Sequence, residues 1–156
     1  MRRSTEAELA EVLPRVLDEA FRRHHGQSPY TQDRGQRIAR FVSDRGSYSA
    51  TALYRGRPVG IQFGMELGGA SVGALGASFA EYRSFEVNAA LMMHQLRWAM
   101  RHGYDEVDLA GRVDEGVARF KRSFGADEVS YASGHSTVLP RVLGAASAVR
   151  KLLALR

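Results

Sequence analysis

The side chains here that could do chemistry act through oxygen and nitrogen, because the 156 residues contain no cysteine. That removes disulfides, thiolate zinc sites, iron–sulfur clusters and a cysteine nucleophile together. No Walker loop, dinucleotide glycine fingerprint, His-Glu-x-x-His helix or Gly-x-Ser-x-Gly elbow occurs. His24-His25 precedes Gly26 and reads as a helix end, where imidazole suits the negative pole of the dipole. His94 and His102, within and near the end of a later helix, have the same plain explanation. Lysine is the unusual residue: of 22 basic side chains only Lys121 and Lys151 are not arginine. Two stretches gather the remaining reactive types. One is Gly73-Ala-Leu-Gly76-Ala-Ser78-Phe-Ala-Glu-Tyr82-Arg83, leading into a helix with Arg97-Trp98-Ala99. The other is Asp108-Leu-Ala-Gly111 followed by Arg119-Phe120-Lys121-Arg122-Ser123-Phe124-Gly125.

The elements that must position them follow from periodicity. Leu9, Val12, Leu13, Val16, Leu17, Ala20 and Phe21 recur at helical spacing behind a Thr5/Glu8 capping-box pattern, predicting a helix over 5–24. Pro14 inside it predicts a kink or a division into two segments. A second helix over 31–44 ends at Gly46. From Tyr48 the period becomes two: Leu53 and Tyr54 lead through Arg55-Gly56-Arg57-Pro58 into Val59, Ile61, Phe63, Met65 and Leu67, a β-hairpin. Gly60 and Gly64 on the other face allow a bulge or the close approach of another backbone. Gly68-Gly69 turns into a third strand over 70–76. Ser84 is read as the cap of a helix over 85–102, with Phe85, Ala89, Met92, Leu96 and Met100 covering the sheet. Its second stripe, Val87, Leu91 and Trp98, is set against the first helix or a partner. Glu106–Leu109 reads as a short buried strand, 115–123 as a helix and 128–132 as the last strand, giving the order ααβββαβαβ and a mixed α/β sheet.

Length and composition, 44% hydrophobic and 25% charged, fit a single domain over 1–133. No run approaches the ~20 apolar residues of a membrane span, and none follows Met1-Arg2-Arg3, so a cytoplasmic location is expected. The net charge of +5 is mostly in residues 134–156, and the body is near neutral, which argues against DNA and other nucleic acids as partners. That tail places Leu139, Val142, Ala146, Val149 and Leu153 on one face of a basic amphipathic helix. An anionic membrane surface, the domain's own core and a second subunit suit it equally.

In their order and spacing the two stretches resemble the FemAB/FemX-like branch of the GNAT acyltransferase superfamily, including its CelD/BcsL-type members. There a strand ending in Gly-Ala-Ser and a Glu-Tyr-Arg precede a helix, followed by Asp-x-x-Gly and Phe-Lys-x-x-Phe-Gly. The resemblance covers residues 20–133 and implies an α/β (α+β) GNAT-like mixed sheet, an antiparallel meander followed by helix-strand-helix-strand. It implies an acyltransferase that moves an acyl or aminoacyl group onto an amine of a cell-envelope precursor or small metabolite, with aminoacyl-tRNA or acyl-CoA as donor. Ordinary acetyl-CoA use is disfavoured, because Tyr82-Arg83-Ser84-Phe85-Glu86 lacks glycine and sets a carboxylate where a phosphate would meet the helix.

Under that resemblance Lys121 is the cation for the tetrahedral oxyanion, its stem fixed between Phe120 and Phe124. Asp108 orients the acceptor amine or takes its proton, with capping of the Gly111 loop as the plain alternative. Ser78, Tyr82, Arg83, Gly111, Arg112 and Arg122 are the substrate-binding candidates, Arg83 for a phosphate. FemX-type enzymes carry two such domains in tandem. Either a homodimer or second GNAT-like subunit therefore completes the groove, or the chain is a non-catalytic accessory protein.

Overall fold

Thr5 opens the first helix as its spacing with Glu8 predicts. The Thr5 hydroxyl accepts from the Glu8 amide at 3.2 Å and the Glu8 carboxylate accepts from Thr5 N at 2.9 Å, a reciprocal box at the start of α1 (Glu6–His25). In the computed structural model, which describes residues 1–29, 32–44, 47–67, 69–111 and 114–130, Pro14 does not divide α1. Its ring sits against Gly35 of α2 (Gln32–Asp44), where a Cβ would lie 2.1 Å from Pro14 Cγ. Two residues that weaken helices thus meet where α1 and α2 pack.

Five strands follow one another across the sheet in chain order: β1 (Arg2–Arg3), β2 (Ser49–Tyr54), β3 (Arg57–Leu67), β4 (Ala70–Ser78) and β5 (Val107–Asp108). The first four are antiparallel, and β5 runs parallel to β4, with Ser71 opposite Val107 and Val72 opposite Asp108. The strand at Arg2–Arg3 was not foreseen, since two arginines carry no strand pattern. It is held by Arg2 on Glu8 at 2.6 and 2.9 Å and by the Thr51 hydroxyl on Glu8 at 3.2 Å. Burial pushes the Glu8 carboxyl up, but hydrogen bonds from Arg2, Thr5 and Thr51 and the charge of Arg2 together bring it below its ordinary 4.5.

The sheet is covered on both faces. Leu9, Leu13, Val16 and Leu17 of α1 with Ala39 and Val42 of α2 bury Ile61, Phe63 and Ala77. On the other face Val87 and Leu91 of α3 (Val87–Arg101) meet Tyr48, Ala50, Ala52 and Val59. Val59 therefore does not share a face with Ile61, contrary to strict alternation. The β2–β3 register shifts between Ala52 and Leu53, and this bulge turns Val59 over. Gly60 and Gly64 do admit a close approach: a Cβ at Gly60 would stand 2.7 Å from Val87 Cγ1, and one at Gly64 2.8 Å from Val72 O.

Several boundaries also move. Ser84 caps nothing; it lies in a 3-10 helix (Ala80–Phe85), and Glu86, at φ 52°, is the left-handed joint from which α3 starts. The stripe expected on the sheet is partly exposed, Phe85 at 54% and Met100 at 76%, whereas Val87 and Leu91 of the second stripe are buried by the sheet and Trp98 is half-buried beside Tyr48, so that α1 has no seat there. Val107 and Asp108 form an edge strand rather than a buried one, because nothing pairs beyond β5 among the described residues. Residues 128–130 carry no strand; 131–132 and the tail 134–156 lie outside the described residues. Among those described, no helix is long and apolar enough to cross a membrane.

Gly35→Ala should destabilise the chain by about 1–3 kcal/mol through overpacking on Pro14, against a gain of about 1 kcal/mol from helix propensity, read as a lowered Tm. Because the Glu8 carboxyl is depressed on folding, its contribution is present at neutral pH and lost as pH falls through the acid range. Glu8→Gln should accordingly lower stability at pH 7 and flatten its acid dependence in urea titrations.

Candidate active site

β4 keeps β5 as a neighbour for two residue pairs and then outruns it. From Gly73 to Ser78 its outer edge faces no strand among the described residues, so backbone N–H and C=O groups on that side are open. A cavity of about 310 Å³ lies along this edge. The end of α1 contributes Phe21, Arg23 and His25, β3 and β4 contribute Gln62, Gly73, Gly76 and Ser78, and α3 contributes Asn88 from its first turn. The far wall is Phe120 and Lys121 of α4 (Glu115–Arg122), with Asp114 at its start. Glu19 ties the near wall to the start of the 3-10 helix that follows β4, accepting from Arg23 at 2.8 Å and from Ala80 N at 2.7 Å.

Lys121 is held by the turn after β5. Its Nζ donates to the carbonyls of Ala110 at 2.9 Å and Gly111 at 2.7 Å. An ammonium has three N–H groups, so one remains for the cavity that Lys121 lines. Burial draws its pKa below the ordinary 10.5, opposed by the charge of Asp108. Phe120 and Phe124 meet edge to face with centroids 5.1 Å apart beside it. The turn itself is set by Asp108, whose Oδ1 accepts from Ala110 N at 2.7 Å, and Ala110 takes a positive φ of 63°. Asp114 plays the same part for α4, accepting from Val117 N at 2.8 Å.

Lys121, Ser78 and Arg83 are thus brought to one cavity. Ser78 is buried in its wall; Arg83 is exposed at it and has no protein partner among the described residues. Gly111 takes part through its carbonyl and Asp108 through the turn, neither as lining. Tyr82 lies elsewhere, packed with Tyr54 and Phe85 at centroid distances of 5.9 and 6.2 Å. Arg122 is paired with Glu115 and Glu128, away from the cavity. Arg112 lies outside the described residues. The sequence reading missed Arg23, Gln62, Asn88 and Asp114. Only Gln62 left a signal, as a polar residue between two glycines on the strand face opposite the apolar one. The objection to acyl-CoA is weakened only in part: α3 begins at Val87 with no acidic residue in its first turn, but Glu86 stands at its N-cap and the segment before it holds no glycine.

A mixed sheet opens here between its parallel strands, with a cation beside the opening, and the comparisons give the class of the fold. Residues 1–122 match the family model described as "Acetyltransferase (GNAT) domain", and the chain belongs to that family, as an acyltransferase. No curated protein matches the sequence. Among solved structures it is similar to "a possible acetyltransferase" from Clostridium difficile 630, at TM-score 0.73 and 9% identity over 86% of this chain and 94% of that one. It is also similar to a ribosomal-protein-alanine N-acetyltransferase from Brucella melitensis, at TM-score 0.69 and 14% identity over 83% and 85%. A third is aminoglycoside N-acetyltransferase AAC(6')-Iy in complex with CoA, at TM-score 0.65 and 12% identity over 87% and 92%. These likenesses are of fold, and each of those chains is itself about one such domain long.

Asp108→Asn keeps an oxygen for the Ala110 N–H and should leave both stability and thiol release from acyl-CoA near wild type. Asp108→Ala should cost about 1 kcal/mol of stability and slow transfer. An asparagine variant as slow as the alanine one would make the carboxylate itself a reactant.

Proposed function

We propose that this chain transfers an acyl group from an acyl-CoA to a primary amine held against the open edge of β4, with Lys121 as the cation that meets the developing oxyanion. The observation that carries the reading is a half-buried ammonium on the cavity wall, fixed by two carbonyls with one N–H to spare. The amine nitrogen, unprotonated, attacks the thioester carbonyl carbon. Negative charge builds on the carbonyl oxygen, where a preorganised N–H donor is worth about 3–4 kcal/mol. The C–S bond then breaks, the nitrogen gives up a proton, and the thiolate takes one. The carboxylate of Asp108 serves by holding the turn that presents the carbonyls to Lys121, which makes it a positioning residue.

Acyl-CoA is preferred to aminoacyl-tRNA as donor. It is the donor typical of the family, and the body of the chain is close to electrically neutral. The free guanidinium of Arg83 and the first-turn Asn88 suit a phosphate of that donor. For the acceptor, the FemAB-like motifs favour an amine of a cell-envelope precursor or a small metabolite, and Gly73, Gly76 and Ser78 of the first motif border one cavity with Lys121 of the second.

Thiol release from acetyl-CoA in the presence of peptidoglycan-precursor amines and of small amines tests the pairing. Lys121→Ala should lower kcat about a hundred- to a thousandfold. Since burial lowers the lysine pKa, the ammonium and the rate with it should be lost at a pH below 10.5. Lys121→Arg should move that alkaline limb upward. Wild-type rates in Lys121→Ala would remove the oxyanion role.

A further inference from the structure

Two glutamine side chains meet across the sheet where it carries glycine. Gln62 of β3 stands opposite Gly76 of β4, and a Cβ at Gly76 would be 3.0 Å from Gln62 Cγ. With that space empty, Gln62 lies over β4 and reaches the cavity wall, although it is only 5% exposed. Gln95 of α3 arrives through the neighbouring gap: a Cβ at Gly73 would be 3.3 Å from both its amide atoms, and one at Gly64 2.9 Å from its Nε2. Gln62 Nε2 donates to Gln95 Oε1. Gln95 is fully buried, and its Nε2 has no partner among the described residues.

The donors and acceptors of the pair do not balance within the protein. Gln62 turns its N–H inward to Gln95, and no protein donor reaches its Oε1 among the described residues. That oxygen is not among the sealed, unpartnered polar atoms, and Gln62 is one of the residues that line the cavity. An amide carbonyl fixed from behind by a second amide is an acceptor waiting for an N–H. Acyl transfer brings two kinds of nitrogen to the cavity. The acceptor amine must point its lone pair at the thioester and shed protons, which a neutral amide cannot take. The pantetheine arm of CoA carries amide N–H groups that stay protonated, and the open backbone of β4 beside Gln62 suits an extended amide chain.

We propose that Gln62 Oε1 accepts a hydrogen bond from a pantetheine amide N–H of the acyl-CoA, with Gln95 as the positioning residue that fixes it. This rests on the acyl-CoA reading above. The two glutamines replace part of the amide hydrogen bonding that the arm loses on leaving water, and they select for a donor with an amide at that distance from the thioester.

Calorimetric titration of the full chain with CoA, and with adenosine 3′,5′-bisphosphate as the portion of CoA without amides, tests this. Gln62→Met should weaken CoA about three- to tenfold and leave the bisphosphate unchanged. Gln95→Met should follow Gln62→Met. Equal CoA affinity in wild type and Gln62→Met, or an equal loss for both ligands, would overturn the proposal. A wild-type chain that does not bind CoA would instead remove the donor reading, a result distinct from wild-type binding that Gln62→Met leaves untouched.

Discussion

The parting of β4 from β5 is the constraint from which the site follows. A parallel partner joins β4 only at Ser71 and Val72, and beyond them the chain after β5 turns away toward α4. Strand edges within a fold are ordinarily paired or covered, because each open N–H or C=O that leaves water unmatched costs about 1–3 kcal/mol. Here an edge is left open and walled by α1, α3 and α4 instead. Those walls make a cavity whose one long side is extended backbone, which suits an extended, amide-bearing ligand better than a compact one.

Lys121 illustrates how local strain serves a charged group. Desolvation works against the ammonium, and two carbonyl dipoles from one turn oppose that loss, each charge-assisted bond being worth about 1.5–3 kcal/mol. Both carbonyls point the same way because Ala110 is left-handed, an arrangement costing a non-glycine residue about 1 kcal/mol or more and supported by the Asp108 bond to its amide. The cation, the turn and the carboxylate are one mechanical unit spanning β5 and α4.

Packing on the two sheet faces differs in one respect. Against α1 and α2 the sheet presents branched and aromatic side chains, and burying each of these contributes about 1.5–3 kcal/mol. Against α3 an apolar cluster of Tyr48, Ala50, Ala52 and Val59 with Val87 and Leu91 is joined by Gly60, Gln62 and Gly64, so the helix comes close and two amides fill what glycine leaves empty. Both faces reach the cavity, Ala20 and Leu75 from the first and Gln62 from the second.

Much was legible in the residues. The capping box at Thr5 and Glu8, both N-terminal helices, the hairpin at Arg55-Gly56, the meander and the helix carrying Lys121 depend on neighbours within a few positions, and short-range periodicity reports such neighbours. The ordered motifs pointed to the FemAB/FemX-like branch of the GNAT superfamily, and the match of residues 1–122 is to the GNAT acetyltransferase domain, at the level of the superfamily and not of that branch. What the chain order could not disclose arises between elements distant in sequence. Pro14 is tolerated because Gly35 faces it, Val59 changes face because a bulge intervenes, and Val87 rather than Phe85 is buried because a left-handed Glu86 rotates the start of α3. Gln62 and Gln95 look like ordinary polar residues until the sheet sets them together. Alternation and helical spacing record which side of its own element a residue occupies. Only the tertiary structure decided which element waits on that side, because that depends on backbones approaching where glycine allows and on strands ceasing to pair.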